Sequence, residues 1–520
     1  MLRGNKPAKS KRKLVLIIWD GFGIGRKDKG DATGLAKMPT WRKLLESFPH
    51  TQLKADGASV GLPAGQPGNS EAGHATLGAG RPVISDQLVI DEAIDEKKFS
   101  KNPALRHAVA HCERNRSILH LVGLLTNHAS GHASPKHIEA LIKFAAASRL
   151  PRVALHLFTD GRDTPPFHAV HLLAELQKKM PSNFVIATLS GRFYAMDRNR
   201  FWDRTMLAYD AMTQGHGVSA DSVTTAVTQA YNRGESDEFI TPTVICKNKT
   251  CIAPISDHDS VIYWNLRSDR ARQLVKPFVL KDFNLREPNV RRRVFRKDLC
   301  FVTLTEFGKD LNGESMAAFP HADVRESFVD AMRYQRQIYI AESEKFAQVT
   351  YFFNGGFAKP LFGEERVRIP SLRIPRYDAK PRMRADEIAK NIVQALDQDY
   401  QVIVANFANA DMVGHTGNEA AAIQACDALD ETLALIWKKV REKDGILVVT
   451  ADHGNVEVML NPHGGADTEH NPDPVPFLVA GSGFKNAKLK PGGLADVAPT
   501  LLHVLGVDQP KEMTGKNLLV

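Results

Sequence analysis

Short, unbroken apolar runs, each stopping at a polar or charged residue, recur along the chain and limit its possible folds more than any other feature. They are LVLIIW before Asp20, ILHLVGLL before Thr126, VALHLFT before Asp160, FVIATLSG before Arg192, SVIYWNL before Arg267, VTYFF before Asn354, VIVANFANA before Asp411 and ILVVTA before Asp452. Runs rich in β-branched residues and lacking polar alternation predict strands buried on both faces. Between them lie helical patterns, among them Pro135 to Ala147, Arg384 to Leu396 and Glu419 to Arg441. The alternation predicts an α/β fold built on mostly parallel sheets flanked by helices. Such sheets bind ligands beyond the carboxyl ends of their strands, which is where the terminating polar residues fall.

At 520 residues the chain is longer than one core sustains, the limit being about 250–300, so two domains are expected. No internal repeat is present. Arg81 to Leu88 and the loop-like stretch Gly308 to Pro320 read as crossings between domains. They divide the chain into a discontinuous outer domain, residues 14–83 and 316–520, and an inserted α/β domain, residues 84–315. A hydrophobic content of 43% is that of an ordinary soluble protein. The formal charge of +9 owes much to Arg3, Lys6, Lys9, Lys11, Arg12 and Lys13. Residues 1–13 are therefore read as a basic, disordered leader rather than a nucleic-acid arm. The apolar run after the leader is too short for a signal peptide, and no run approaches the ~18 apolar residues of a membrane span. Five scattered cysteines, of which only Cys246 and Cys251 are close, favour a reducing compartment over a disulfide framework. The expectation is a cytoplasmic monomer with neither a membrane nor a nucleic-acid partner.

The stretch QPGNSEAGHATLGAG, Gln66 to Gly80, places Ser70 at the start of a helix. Free N–H groups and the positive end of the dipole there favour an anion, so Ser70 is a candidate phosphoryl acceptor; taken alone, the stretch favours a capping serine and nothing more. Asp411 and His415 stand four apart after an apolar run, a carboxylate with an imidazole that suits Mn²⁺ or Zn²⁺. Asp452 and His453 end another run, His470 precedes a further one, and Asp20 closes the first. Singly these are turn or capping residues. Together, at the ends of separate strands, they suffice for two divalent ions that activate the Ser70 hydroxyl. The middle of the chain adds arginines after strands: Arg162 with Asp163, Arg192 with Arg198, and Arg267 with Arg270. Guanidinium forks bind carboxylate and phosphate bidentately, so the cluster points to a small polyanionic substrate. Lys345 is a further point charge from the outer domain.

The motifs DGFG at Asp20, GNSEAGH at Ser70, DGRDTPP, GRFYAMDR, LRSDRARQ, NFANADMVGHTG, TADHGN, ADVAPTLLHVLG and PKEMTGK occur in order from Leu14 to the C-terminus. In this set the chain resembles the cofactor-independent phosphoglycerate mutases of the alkaline phosphatase superfamily. The resemblance implies a phosphatase-like metal-binding domain in two pieces with an inserted substrate-binding domain. It implies a phosphoserine at Ser70 that carries phosphate between the 3- and 2-hydroxyls of glycerate, with no 2,3-bisphosphoglycerate. One manganese would be held by Asp411, His415 and His470, and a second by Asp20, Ser70, Asp452 and His453, with Mg²⁺, Co²⁺ or Zn²⁺ as other choices. Arg267, Arg270 and Lys345 would meet the phosphate, and Arg162, Asp163, Arg192 and Arg198 the glycerate, Asp163 moving its protons. The family's GGVHSH segment is replaced by TNHASGHAS, in which His132 aligns with the substrate-binding histidine and His128 is its rival. Because hydrolysis of phospho-Ser70 would make a phosphatase, the inserted domain is expected to exclude water. Two rival readings are a metal-dependent phosphomonoesterase, or mutase of another metabolite, on the same scaffold, and a basic nucleic-acid-binding protein.

Overall fold

The fold is described from a computed structural model, for residues 12–26, 28–127, 130–248, 250–308, 311, 313–320 and 324–520. The chain divides into two compact units, one from the described residues of Met1–Ser85 and Asp323–Val520, the other from those of Asp86–Ala322.

The first unit is built on an eight-stranded sheet. In spatial order its strands are Glu364–Ile369, Gln337–Glu342, Val402–Phe407, Leu14–Trp19, Ile446–Thr450, Val475–Gly481, His50–Lys54 and Gly492–Gly493. The first five run parallel, and Val475–Gly481 is antiparallel to both of its neighbours. Leu14–Trp19 is central and buried along its whole length, as a continuous apolar run requires. Helices Ala385–Asp397 and Glu419–Glu442 cover the sheet, burying Ile388, Ile392, Leu429, Leu433 and Ile436 at helical spacing.

The second unit has its own core and a nine-stranded sheet. The main path is Met316–Phe319, Cys300–Thr305, Ser260–Tyr263, Leu119–Leu125, Val153–Thr159, Phe184–Gly191, Thr243–Lys247 and Val218–Ala220, with Thr250–Cys251 pairing Thr243–Lys247. Most neighbours are parallel.

Several details depart from the sequence reading. VTYFF is not a strand: Gln348–Phe352 is a single wide helical turn, burying Val349 and Thr350 while Tyr351 faces out. It lies on helix Ser70–Ala79, whose Gly78 has no room for a Cβ beside the Phe353 carbonyl oxygen. The strand of this region is Gln337–Glu342, whose polar first and last residues interrupt the apolar signal. Met316–Phe319, inside the stretch read as loop, is an edge strand. Residues 1–11 of the leader lie outside the described residues, as does His128, whereas Arg12 and Lys13 lead into the central strand. Gln401 Nε2 donates to the Arg12 carbonyl oxygen at 2.6 Å, and Ile446 N donates to that of Lys13 at 2.8 Å. Among the described residues no helix is long and apolar enough to cross a membrane.

Candidate active site

In the first unit the polar residues that end the parallel strands gather at one edge of the sheet. Helix Ser70–Ala79 is capped by Asn69, whose side chain accepts from Ala72 N, so Ser70 is its first residue. Ser70 is buried with Asp20, Asp411, Asp452, His453 and Lys345. Its Oγ donates to Asp20 Oδ1 at 3.1 Å and lies 3.0 Å from His453 Nε2. The Lys345 ammonium donates to Ser70 Oγ at 2.7 Å, Asp20 Oδ1 at 2.5 Å and Asp411 Oδ2 at 2.6 Å. Gly21, at a φ of 72°, leaves no room for a Cβ beside Asp411, which lets the Asp20 and Asp411 loops touch.

The imidazole tautomers follow from their partners, because a carbonyl oxygen only accepts. Nδ1 of His415 donates to the Thr468 oxygen at 2.7 Å, that of His470 to the Gly68 oxygen at 3.0 Å, and that of His453 to the Gly454 oxygen at 3.2 Å. In the neutral ring, the form that a bound cation selects, each Nε2 then carries the lone pair. The Nε2 atoms of His415 and His470 stand 3.2 Å apart, and each is 3.2 Å from Asp411 Oδ1. That of His453 is 3.5 Å from both Asp20 Oδ1 and Asp452 Oδ2. Imidazole nitrogens and carboxylate oxygens converging at these distances could hold a cation, with tautomers fixed by the backbone as metal-binding histidines require.

His74 completes a second group of convergent donors with Asp20 and Asp452. Its Nδ1 is spent on the Ser70 carbonyl oxygen at 2.9 Å, and its Nε2 accepts from Asn406 Nδ2 at 3.1 Å. Although Nδ1 also lies 3.1 Å from Asp452 Oδ2, that buried oxygen is left with no hydrogen bond. An orphaned carboxylate oxygen beside a lone pair again fits a divalent ion, and His74 is a support rather than a ligand.

The electrostatics are those of a carboxylate-rich centre. Burial opposes ionisation of Asp20 and Asp411, but Lys345 holds both well below the usual carboxylate range. Burial likewise opposes charge on Lys345, and Asp20 with Asp411 overcomes it, raising the ammonium's value. His453 is raised to about 9, burial being outweighed by Asp452 and Asp20. Burial and then His453 lower His470.

The second unit carries the arginine cluster at the carboxyl ends of its parallel strands. Arg192 Nη1 donates to Asp160 Oδ1 at 2.6 Å and Asp163 Oδ2 at 3.0 Å, and Ser130 Oγ donates to Asp163 at 2.6 Å. Arg198 pairs with Asp269 at 2.9 Å, and Arg162 reaches Glu238 at 3.7 Å. Burial, then Arg198, Arg192 and Arg162, lower Arg270 to about 10, which marks an excess of guanidinium charge. His132 is lowered to about 4 by burial, Arg192 and Arg267, and its buried Nδ1 has no partner. The cluster thus offers a neutral imidazole and several cations to an anion.

The sequence reading named neither His74 nor the buried amides Asn406 and Asn455. Asn406 Nδ2 donates to Asp20 Oδ2 at 2.7 Å, and Asn455 Nδ2 donates to Asp411 Oδ1 at 3.1 Å. Asn406 left a signal, a polar residue inside the apolar run VIVANFANA. Asp160, which braces Arg192, ends the apolar run VALHLFT and so carries the same signal as the other strand-end residues, whereas Ser130, which braces Asp163, left none.

A sequence model of the Metalloenzyme superfamily matches residues 12–509. A 2,3-bisphosphoglycerate-independent phosphoglycerate mutase of Moorella thermoacetica is 43% identical over 513 residues, 98% of each chain. One of Clostridium beijerinckii is 42% identical over 517 residues, 98% of this chain and 99% of that one. The crystal structure of Leishmania mexicana phosphoglycerate mutase at low cobalt concentration superposes with a TM-score of 0.80 at 28% identity, covering 99% of each chain. A strand-end set of carboxylates and backbone-fixed imidazoles around a helix-capped serine, carried on a chain this similar over its whole length, belongs to the 2,3-bisphosphoglycerate-independent phosphoglycerate mutase family.

Proposed function

We propose that the chain is an isomerase that interconverts 3-phosphoglycerate and 2-phosphoglycerate through a phosphoserine at Ser70, with two divalent cations and no 2,3-bisphosphoglycerate. The observation that carries this reading is the Ser70 hydroxyl at a helix start, within 3.1 Å of Asp20, His453 and Lys345. Asp411, His415 and His470 would hold one cation, and Asp20, Ser70, Asp452 and His453 the other, with Mn²⁺ the first choice for this mixed oxygen and nitrogen set. When bound, the two ions supply positive charge that neutralises phosphate oxygens and lowers the pKa of the serine hydroxyl.

The remaining chemistry falls to side chains. Ser70 Oγ attacks phosphorus as the bond from phosphorus to the 3-oxygen breaks, and the hydroxyl proton ends on the departing glycerate oxygen. The helix N–H groups and Lys345 stabilise the phosphoryl group on Ser70. The 2-hydroxyl then attacks phosphorus, the bond to Ser70 Oγ breaks, and Oγ regains a proton. Asp163, held by Ser130 and Arg192, moves protons at the glycerate hydroxyls, while His132, Arg162, Arg192, Arg198, Arg267 and Arg270 bind the anionic substrate. Five free cysteines accord with work in the cytoplasm.

The test supplies 3-phosphoglycerate with no bisphosphoglycerate, with Mn²⁺ or with a chelator, and measures 2-phosphoglycerate against free phosphate. The expected result is 2-phosphoglycerate with Mn²⁺, none in chelator, recovery on adding the ion back, and a phosphorylated Ser70 peptide after acid quench. Free phosphate as the main product would replace this reading with that of a phosphatase.

A further inference from the structure

Cys246 and Cys251 take no part in this chemistry, yet the fold of the second unit aligns them. Thr243–Lys247 and Thr250–Cys251 form an antiparallel hairpin that sets Cys246 opposite Cys251 and Lys247 opposite Thr250. Asn248, next after the first strand, has a φ of 51°, the left-handed conformation common where a strand reverses into its hairpin partner. Ile252 N donates to the Ile245 carbonyl oxygen at 2.9 Å, so the cysteines occupy the adjacent pair without mutual hydrogen bonds. Residues opposed in that position have Cα atoms about 4.5 Å apart and side chains on one face. That spacing falls within the range of about 4.4–6.8 Å which a disulfide spans. The two Sγ atoms are 3.1 Å apart. Gly215, at the end of helix Trp202–Gln214, leaves room for Cys251: a Cβ there would lie 2.7 Å from its sulfur. Both thiols are half-buried, whereas Cys112, Cys300 and Cys426 are buried.

We propose that Cys246 and Cys251 are a reversible oxidation site that closes an intramolecular disulfide when a peroxide reaches the hairpin. In the first step one sulfur attacks a peroxide oxygen, the O–O bond breaks, the sulfur becomes a sulfenic acid, and its thiol proton leaves with the other oxygen as water. In the second step the partner sulfur attacks the sulfenic sulfur, its proton joins the departing hydroxyl as a second water, and the S–S bond forms. Two electrons pass from the thiols to hydrogen peroxide, and a dithiol returns them by exchange. Burial, then the Cys246 thiol, pushes Cys251 up to about 11, so oxidation should quicken as pH rises.

The test exposes the full chain to hydrogen peroxide, quenches it, counts free thiols after denaturation and maps linked peptides by mass. The expected result is a fall from five thiols to three, with residues 246 and 251 linked, and full recovery in dithiothreitol. Cys246→Ser and Cys251→Ser should each form no intramolecular disulfide under the same exposure, losing at most the one remaining hairpin thiol as a sulfenic acid that dithiothreitol restores. Five thiols persisting in the parent chain, a bridge mapped between other cysteines, or sulfinic acid in place of a bridge would each overturn the proposal. The peptide map of the parent chain decides the matter without relying on either variant.

Discussion

Lys345 is the residue on which the charge balance of the first unit turns. Its ammonium bridges Asp20 and Asp411, both fully enclosed, and touches the oxygen proposed to carry phosphate. Removing one partner of a buried pair leaves an uncompensated charge that costs about 3–5 kcal/mol. Lys345→Met in chelator should therefore lose stability of about that size by urea unfolding, and saturating Mn²⁺ should restore much of it by supplying the missing charge. Equal stability of variant and parent in chelator would show that the carboxylates do not depend on the ammonium. Ser70→Ala tests the chemistry more directly. Its turnover should fall by about 10⁴ or more, as when a nucleophile is deleted, while calorimetry still detects Mn²⁺ binding. Turnover near the parent's would remove the phosphoserine from the mechanism.

At the scale of elements, the placement of Ser70 depends on how helix Ser70–Ala79 lies against the loop that carries Asp452. A Cβ at Gly73 would stand 2.5 Å from the Asp452 carbonyl oxygen and 2.8 Å from its Cβ, both too close to accommodate. Gly73→Ala should gain about 1 kcal/mol of helix propensity, yet it must move the helix or the loop, so the expected sign is destabilising. Activity should drop more than stability, read as kcat against the urea midpoint, because Ser70 shifts relative to Asp20 and His453. A gain in midpoint with unchanged kcat would contradict the packing. The same element shows what the sequence made legible. Asn69, Ser70 and the glycines announce a helix start, and the candidate metal-binding carboxylates Asp20, Asp411 and Asp452 announce themselves by ending apolar runs. VTYFF was misread because a five-residue apolar run does not distinguish a strand from a buried helical turn. QIYIAE was passed over because Gln337 and Glu342 are polar yet fully buried. His74, Asn406 and Asn455 act by fixing other side chains, and that role depends on contacts between residues far apart in sequence, such as Asn406 with Asp20 and His74 or Asn455 with Asp411.

The whole molecule comprises two units with separate cores, and a polar chain crosses the sheet of the second. His120 Nε2 donates to Asp259 Oδ2 at 3.1 Å, its Nδ1 accepts from His156 Nε2 at 2.9 Å, and His156 Nδ1 accepts from Thr188 Oγ1 at 2.9 Å. Every nitrogen is satisfied with His156 neutral, and burial, then His120, holds its pKa well below 6.5. The unfolded chain binds a proton there near the ordinary histidine value of about 6.5, while the folded chain does not. Stability from this site is therefore complete above that value and declines as pH falls below it, by at most about 1.4 kcal/mol per pH unit for one group. His156→Gln should be less stable at pH 8, having lost part of the chain, but its stability should fall less steeply between pH 6.5 and 5. Urea unfolding followed by hydrogen exchange at Leu119–Leu125 and Val153–Thr159 reads this slope in the second unit alone. Identical slopes for variant and parent would place the acid sensitivity elsewhere, and a steeper slope in the variant would mean that His156 is charged in the folded protein.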